Sequence, residues 1–121
     1  MAVPKILIVD NDYETCAYVS DVLADAGFCV DLASDAQTAL EKCKSHDVLL
    51  VESNLPDMDG VELFRRAKRL RANIRAILVT SVRTYEKLQA AIDAGMWDVL
   101  SKPLDANRLV PMIEDVAGET G

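Results

Sequence analysis

Five short apolar runs, each followed by a segment with apolar residues at helical spacing, constrain this chain more than any other feature. The runs are Ile6-Leu7-Ile8-Val9, Phe28-Cys29-Val30, Val48-Leu49-Leu50-Val51, Ala76-Ile77-Leu78-Val79 and Trp97-Asp98-Val99-Leu100. The first, third and fourth are unbroken over four residues, the pattern of strands buried on both faces. Cys16, Val19, Leu23 and Ala26 form a one-sided helical stripe that Gly27 closes. Ser34 and Gln37 read as a capping box opening a second helix through Ala39, Leu40 and Cys43. Asp59-Gly60 opens a third with Val61, Leu63, Phe64 and Ala67, and Leu88, Ala91 and Ile92 mark a fourth that Gly95 ends. A fifth follows Pro103 and carries Leu109, Met112, Ile113 and Val116; Pro111 predicts that it starts late or bends, since an interior proline costs about 3 kcal/mol. Strands joined by single helices make a parallel α/β sheet with right-handed crossovers, and place ligand chemistry beyond the strands' carboxyl ends.

Half of the 121 residues are apolar, enough for one core, so residues 1–121 read as a single domain with its core at about 5–117 and a tail or linker start at 118–121. A net charge of -7 repels phosphate backbones and anionic membranes, so no direct nucleic-acid or membrane partner is expected. The basic run from Arg65 to Arg71 falls on one helix and reads as a solvated face. Cys16, Cys29 and Cys43 are odd in number, widely spaced and set in apolar patterns, as reduced core thiols are, which suits a cytoplasmic protein. No run approaches the ~18 apolar residues of a membrane span, and no export leader is read at Met1–Lys5. His46 lacks a partner at ligand spacing and reads as loop filling.

The strand ends supply the chemistry. Asp10-Asn11-Asp12 follows the first strand, Glu52-Ser53-Asn54 the third, Thr80-Ser81 the fourth and Ser101-Lys102-Pro103 the fifth. Carboxylates from two strands can hold a hard cation such as Mg²⁺, a hydroxyl can hold a phosphoryl oxygen, and an ammonium can neutralise a transferring phosphoryl group. No Gly-rich phosphate loop follows Val9 and no Gly-x-Ser-x-Gly elbow is present, which leaves little room for a nucleotide enzyme or a hydrolase.

In order along the chain, Ile6-Leu7-Ile8-Val9-Asp10-Asn11-Asp12, Leu55-Pro56-Asp57-Met58-Asp59-Gly60, Val79-Thr80-Ser81 and Ser101-Lys102-Pro103 resemble the receiver domains of two-component response regulators. The resemblance spans nearly the whole chain. It implies a doubly wound five-stranded sheet in the order 2-1-3-4-5, a cis Lys102-Pro103 peptide, and a signalling module rather than a turnover enzyme. The family's acceptor aspartate, which takes a phosphoryl group from a histidine kinase, maps onto Glu52; its acidic pair maps onto Asp10 and Asn11, and its hydroxyl and lysine onto Thr80 and Lys102. Val99 stands where the family usually carries a switching Tyr or Phe.

These departures predict an atypical receiver. Glu52 pushes its carboxylate about one methylene, ~1 Å, further into the pocket, a displacement that can cost ~100-fold in a positioned reaction. Asn11 removes a charge from the metal site, leaving a weakened Mg²⁺ site of Asp10, Asn11, Glu52 and Asn54, for which Asp12 lies in a poorer register. Pairing of Lys102 with Glu52 is then expected to hold the pocket in one state. Ser53 and Asp57 are read as turn-capping residues and not as substitute acceptors. The alternative is a conventional Mg²⁺-dependent switch using Glu52. Expected partners are a histidine kinase or phosphotransfer protein and a downstream effector, with Trp97 and Val99 on the partner surface and a homodimer through the fourth helix, fifth strand and fifth helix as one arrangement.

Overall fold

The computed structural model describes residues 3–118. Strand β1 (Lys5–Val9) leads to helix α1 (Tyr13–Asp25), β2 (Cys29–Ala33) to α2 (Ala36–Lys42), β3 (Val48–Glu52) to α3 (Gly60–Leu70), β4 (Arg75–Thr80) to α4 (Tyr85–Ala94) and β5 (Asp98–Ser101) to α5 (Ala106–Gly118). All strand pairs are parallel and the order is β2-β1-β3-β4-β5, as the resemblance implies. Strand side chains alternate between faces. Leu7, Val9, Leu49, Val51, Ala76 and Leu78 pack against α2, α3 and α4, while Ile6, Ile8, Val48, Leu50, Ile77 and Val79 pack against α1 and α5. The unbroken apolar runs are therefore the central strands of a sheet covered on both faces.

Several local expectations change. The second helix is capped by Asp35, whose carboxylate accepts from the Thr38 N–H at 2.7 Å, and Ser34 is left exposed. The Gln37 N–H instead donates to Asp57 Oδ2 at 3.0 Å and the Ala36 N–H to Asp57 Oδ1 at 2.9 Å, so a carboxylate from another loop completes this cap. Helix α5 starts at Ala106, capped by Asp105, and not late. Pro111 lies beyond its first turn at an exposed position and removes one helical N–H. Burial of Leu109 before it and of Ile113 and Val116 after it outweighs that loss.

Cys16 and Cys43 are buried, but Cys29 is exposed because β2 is an edge strand. His46 is no loop filler: it is buried, with Nε2 2.8 Å from Asp31 Oδ2 and Nδ1 2.8 Å from the Lys42 carbonyl. Arg71, the last of the basic run, leaves the solvated face, donating to the His46 carbonyl and pairing with Asp47 at 2.7 Å. Arg65, Arg66, Lys68 and Arg69 are exposed on α3, as read from the sequence. Among the described residues no helix is long and apolar enough to cross a membrane.

Candidate acidic pocket at the sheet's carboxyl edge

Register brings the site together. Val9 pairs with Val51, Glu52 with Val79 and Thr80 with Ser101, so four strands end at nearly one level. Asp10, Glu52, Thr80 and Lys102 meet there. Asp10, Glu52 and Thr80 are all buried.

Lys102 lies between the two acids, its Nζ 2.9 Å from Asp10 Oδ2 and 2.7 Å from Glu52 Oε2. Burial works against the charge on Lys102, but hydrogen bonding and proximity to Asp10 and Glu52 prevail and hold its pKa above the ordinary lysine value. Its backbone is fixed by an N–H bond to the Thr80 carbonyl at 2.9 Å, and the Lys102-Pro103 peptide is cis.

Glu52 is held from behind by α3. The Gly60 N–H donates to the Ser53 carbonyl at 2.8 Å, and a Cβ on Gly60 would stand 2.3 Å from the Glu52 carbonyl oxygen, so only glycine permits this approach. The Asn54 N–H and the Ser53 hydroxyl both lie 3.3 Å from Glu52 Oε1. Thr80 Oγ1 donates to the Val82 carbonyl at 3.0 Å and accepts from the Val82 N–H at 3.1 Å.

The donor set fits a divalent cation poorly. Asp10 and Glu52 are both engaged by Lys102, and Asp10 Oδ1 also accepts the Asp12 N–H at 2.9 Å. Asp12 is spent capping α1: it accepts from the Thr15 hydroxyl at 2.7 Å and the Glu14 N–H at 3.2 Å, and the Thr15 bond leads the causes that lower its pKa. Asn11 and Asn54 are exposed amides. Among the described residues no three His, Cys, Asp or Glu side chains converge as metal ligands.

Three participants escaped the sequence reading in these roles: Gly60, seen only as a helix start, Ser53, seen as a turn residue, and Lys87. Lys87 Nζ reaches from α4 to within 3.4 Å of both Ser53 Oγ and Thr80 Oγ1. Only the spacing of Lys87 from its Thr84 cap could have hinted that it faces the sheet. Beside Lys102 a groove of about 550 Å³ opens along Thr15, Tyr18, Pro103 and Leu104.

The two residues assigned to a partner surface separate. Trp97 is 40 % exposed, with the Arg75 guanidinium 5.8 Å from its ring centroid. Val99 is buried in the layer beneath α2, α3 and α4, because alternation along β5 turns it inward; its backbone is reached from outside, the carbonyl by Arg83 at 3.3 Å and the N–H by Asp98 Oδ1 at 2.7 Å.

A family model described as the response regulator receiver domain matches residues 6–114. The chain is 31 % identical over 112 residues to the chemotaxis protein CheY of Bacillus subtilis (strain 168), covering 90 % of this chain and 93 % of that one. It is 30 % identical over 117 residues to the transcriptional regulatory protein ZraR of Escherichia coli (strain K12), covering 95 % of this chain and 26 % of ZraR. Thus the chain spans about a quarter of ZraR's length. A CheY-like response regulator receiver domain protein from Methanospirillum hungatei JF-1 superposes with a TM-score of 0.92 at 29 % identity, covering 98 % of this chain and 97 % of that one.

Proposed function

The chain belongs to the response regulator receiver domain family, and within that family we propose that it is an interaction module whose phosphoryl-acceptor position is impaired. One observation carries this reading: Lys102 Nζ occupies the space between Asp10 and Glu52, within 2.9 Å of each. Receiver domains bind Mg²⁺ at an acidic site and take a phosphoryl group on an aspartate at the end of β3. Here the longer Glu52 side chain reaches the lysine directly, and Asn11 supplies no second charge to compete for a cation.

In this reading the pair holds the pocket in one state, and signalling runs through the surface of α4, β5 and α5. On α4, Tyr85 and Ile92 are exposed, and exposed Trp97 precedes β5 beside the end of α3, apolar side chains suited to a kinase, phosphotransfer protein, effector or second copy in the cytoplasm. Intact-mass measurement after incubation with acetyl phosphate and Mg²⁺ tests it. The expected result is no phosphate adduct on the wild-type chain and an adduct on the Glu52→Asp, Asn11→Asp double variant. A wild-type adduct that Glu52→Gln abolishes would establish the conventional switch instead.

A further inference from the structure

Lys87 stands in the first turn of α4, three residues past the Thr84 cap, where the helix presents the positive end of its dipole. A cation there is unfavourable unless an anion compensates. Lys87 is half-buried, and its Nζ is 3.4 Å from Ser53 Oγ and 3.4 Å from Thr80 Oγ1, both buried. Glu86 shares this turn but is exposed, whereas the anion that Lys87 addresses through Ser53 is Glu52, whose Oε1 is 3.3 Å from Ser53 Oγ.

The protons these groups carry fix the directions of their hydrogen bonds. An ammonium only donates, so Lys87 donates to the Ser53 oxygen and leaves the single Ser53 proton for one other acceptor. Two are within reach: Glu52 Oε1 at 3.3 Å and Thr80 Oγ1 at 3.1 Å. Thr80 Oγ1 already accepts the Val82 N–H and donates to the Val82 carbonyl. A charged Glu52 is the stronger acceptor and draws the proton. Once that charge is removed, the proton turns to Thr80, whose oxygen is also a Lys87 partner, and the two donors then compete for the same lone pair.

We propose that Lys87 and Ser53 form a positioning pair, in which an α4-borne ammonium reads the charge of residue 52 through one serine hydroxyl and sets the first turn of α4 accordingly. Lys102 holds Glu52 Oε2, so the carboxylate is gripped by one lysine directly and addressed by the other through Ser53. The pair operates whether or not Glu52 accepts a phosphoryl group, since any change in charge at residue 52 is transmitted. It joins the pocket to a helix of the proposed partner surface.

The test is amide hydrogen exchange by NMR across residues 84–88 of the full chain. Glu52→Gln, nearly isosteric, is expected to speed exchange there several-fold and to shift those amide signals. In the Ser53→Ala background the same Glu52→Gln change is expected to leave residues 84–88 unmoved. Lys87→Met is expected to uncouple them as well, and Lys87→Arg to restore the response. An unchanged α4 first turn on Glu52→Gln, or an equal response with and without the Ser53 hydroxyl, overturns the proposal. A helix that merely packs against the pocket would show the equal response.

Discussion

Removing the ammonium of Lys102 should cost the domain about 3 kcal/mol at neutral pH. Lys102 Nζ stands 2.9 Å from Asp10 and 2.7 Å from Glu52, whose side chains are 4 % and 9 % exposed. At an effective dielectric constant of ~20 each contact carries ~6 kcal/mol of attraction, most of it cancelled by desolvation of three charges and by repulsion between the two acids. Lys102→Met deletes the attraction and leaves two buried carboxylates facing each other, and breaking buried pairs costs about 3–5 kcal/mol. The low end applies because Lys102 is 19 % exposed and water can enter in its place. Urea unfolding at pH 7 measures the loss, which corresponds to a fall in Tm of about 10 °C. Adding Asp10→Asn and Glu52→Gln to the same chain should recover most of it. A loss under about 1 kcal/mol, or one that persists after both acids are neutralised, would refute the electrostatic account and leave only the packing of the lysine stem. The pH dependence has a fixed sign: the folded pKa of Lys102 lies above its ordinary 10.5, so the contribution is complete below pH 10.5 and disappears as pH rises through the folded value. The gap between wild type and Lys102→Met should narrow over that alkaline interval.

Gly60→Ala places a Cβ 2.3 Å from the Glu52 carbonyl oxygen, inside the ~3 Å minimum, and should destabilise by about 1–3 kcal/mol by urea unfolding; a loss under about 0.5 kcal/mol would show that α3 can slide freely off the acceptor strand. Asp57→Ala should speed amide exchange at Ala36 and Gln37, whose N–H groups it accepts. Because the Ala36 bond leads the causes that hold the Asp57 pKa below 3.8, this protection is complete above pH 3.8 and is lost as pH falls through the folded value; unchanged exchange at pH 7 would sink the assignment.

Where the sequence reading succeeded, the signal was periodic and local. The runs Ile6–Val9, Val48–Val51 and Ala76–Val79 announce strands covered on both faces, and each acts through its own residues. Gly27 and Gly95, with φ of 96° and 84°, end α1 and α4 because only glycine enters that region at no cost. Local rules failed where a distant partner intervened. Ser34 satisfies the capping pattern, yet Asp35 and the remote Asp57 hold the first turn of α2. Pro111 should make α5 start late or bend, yet α5 starts at Ala106, with apolar residues buried on both sides of the proline. His46 has no ligand partner in sequence, and its buried place depends on Asp31 and on the Lys42 carbonyl.

What the amino-acid order determined by itself is the parallel α/β architecture, the edge of the sheet that bears the chemistry, and the residue types gathered there. These follow from hydrophobic period and from the polar residues that end each strand, properties that do not depend on neighbours. Only the tertiary structure decided which charges touch. It set Lys102 between Asp10 and Glu52, turned Val99 inward while leaving Trp97 outside, and brought Lys87 across from α4 to Ser53. The reason is one of length: hydrogen bonds and ion pairs act over about 3 Å, whereas the residues they join are separated by 34 positions for Lys87 and Ser53, a distance closed by strand register together with the packing of α4 on the sheet.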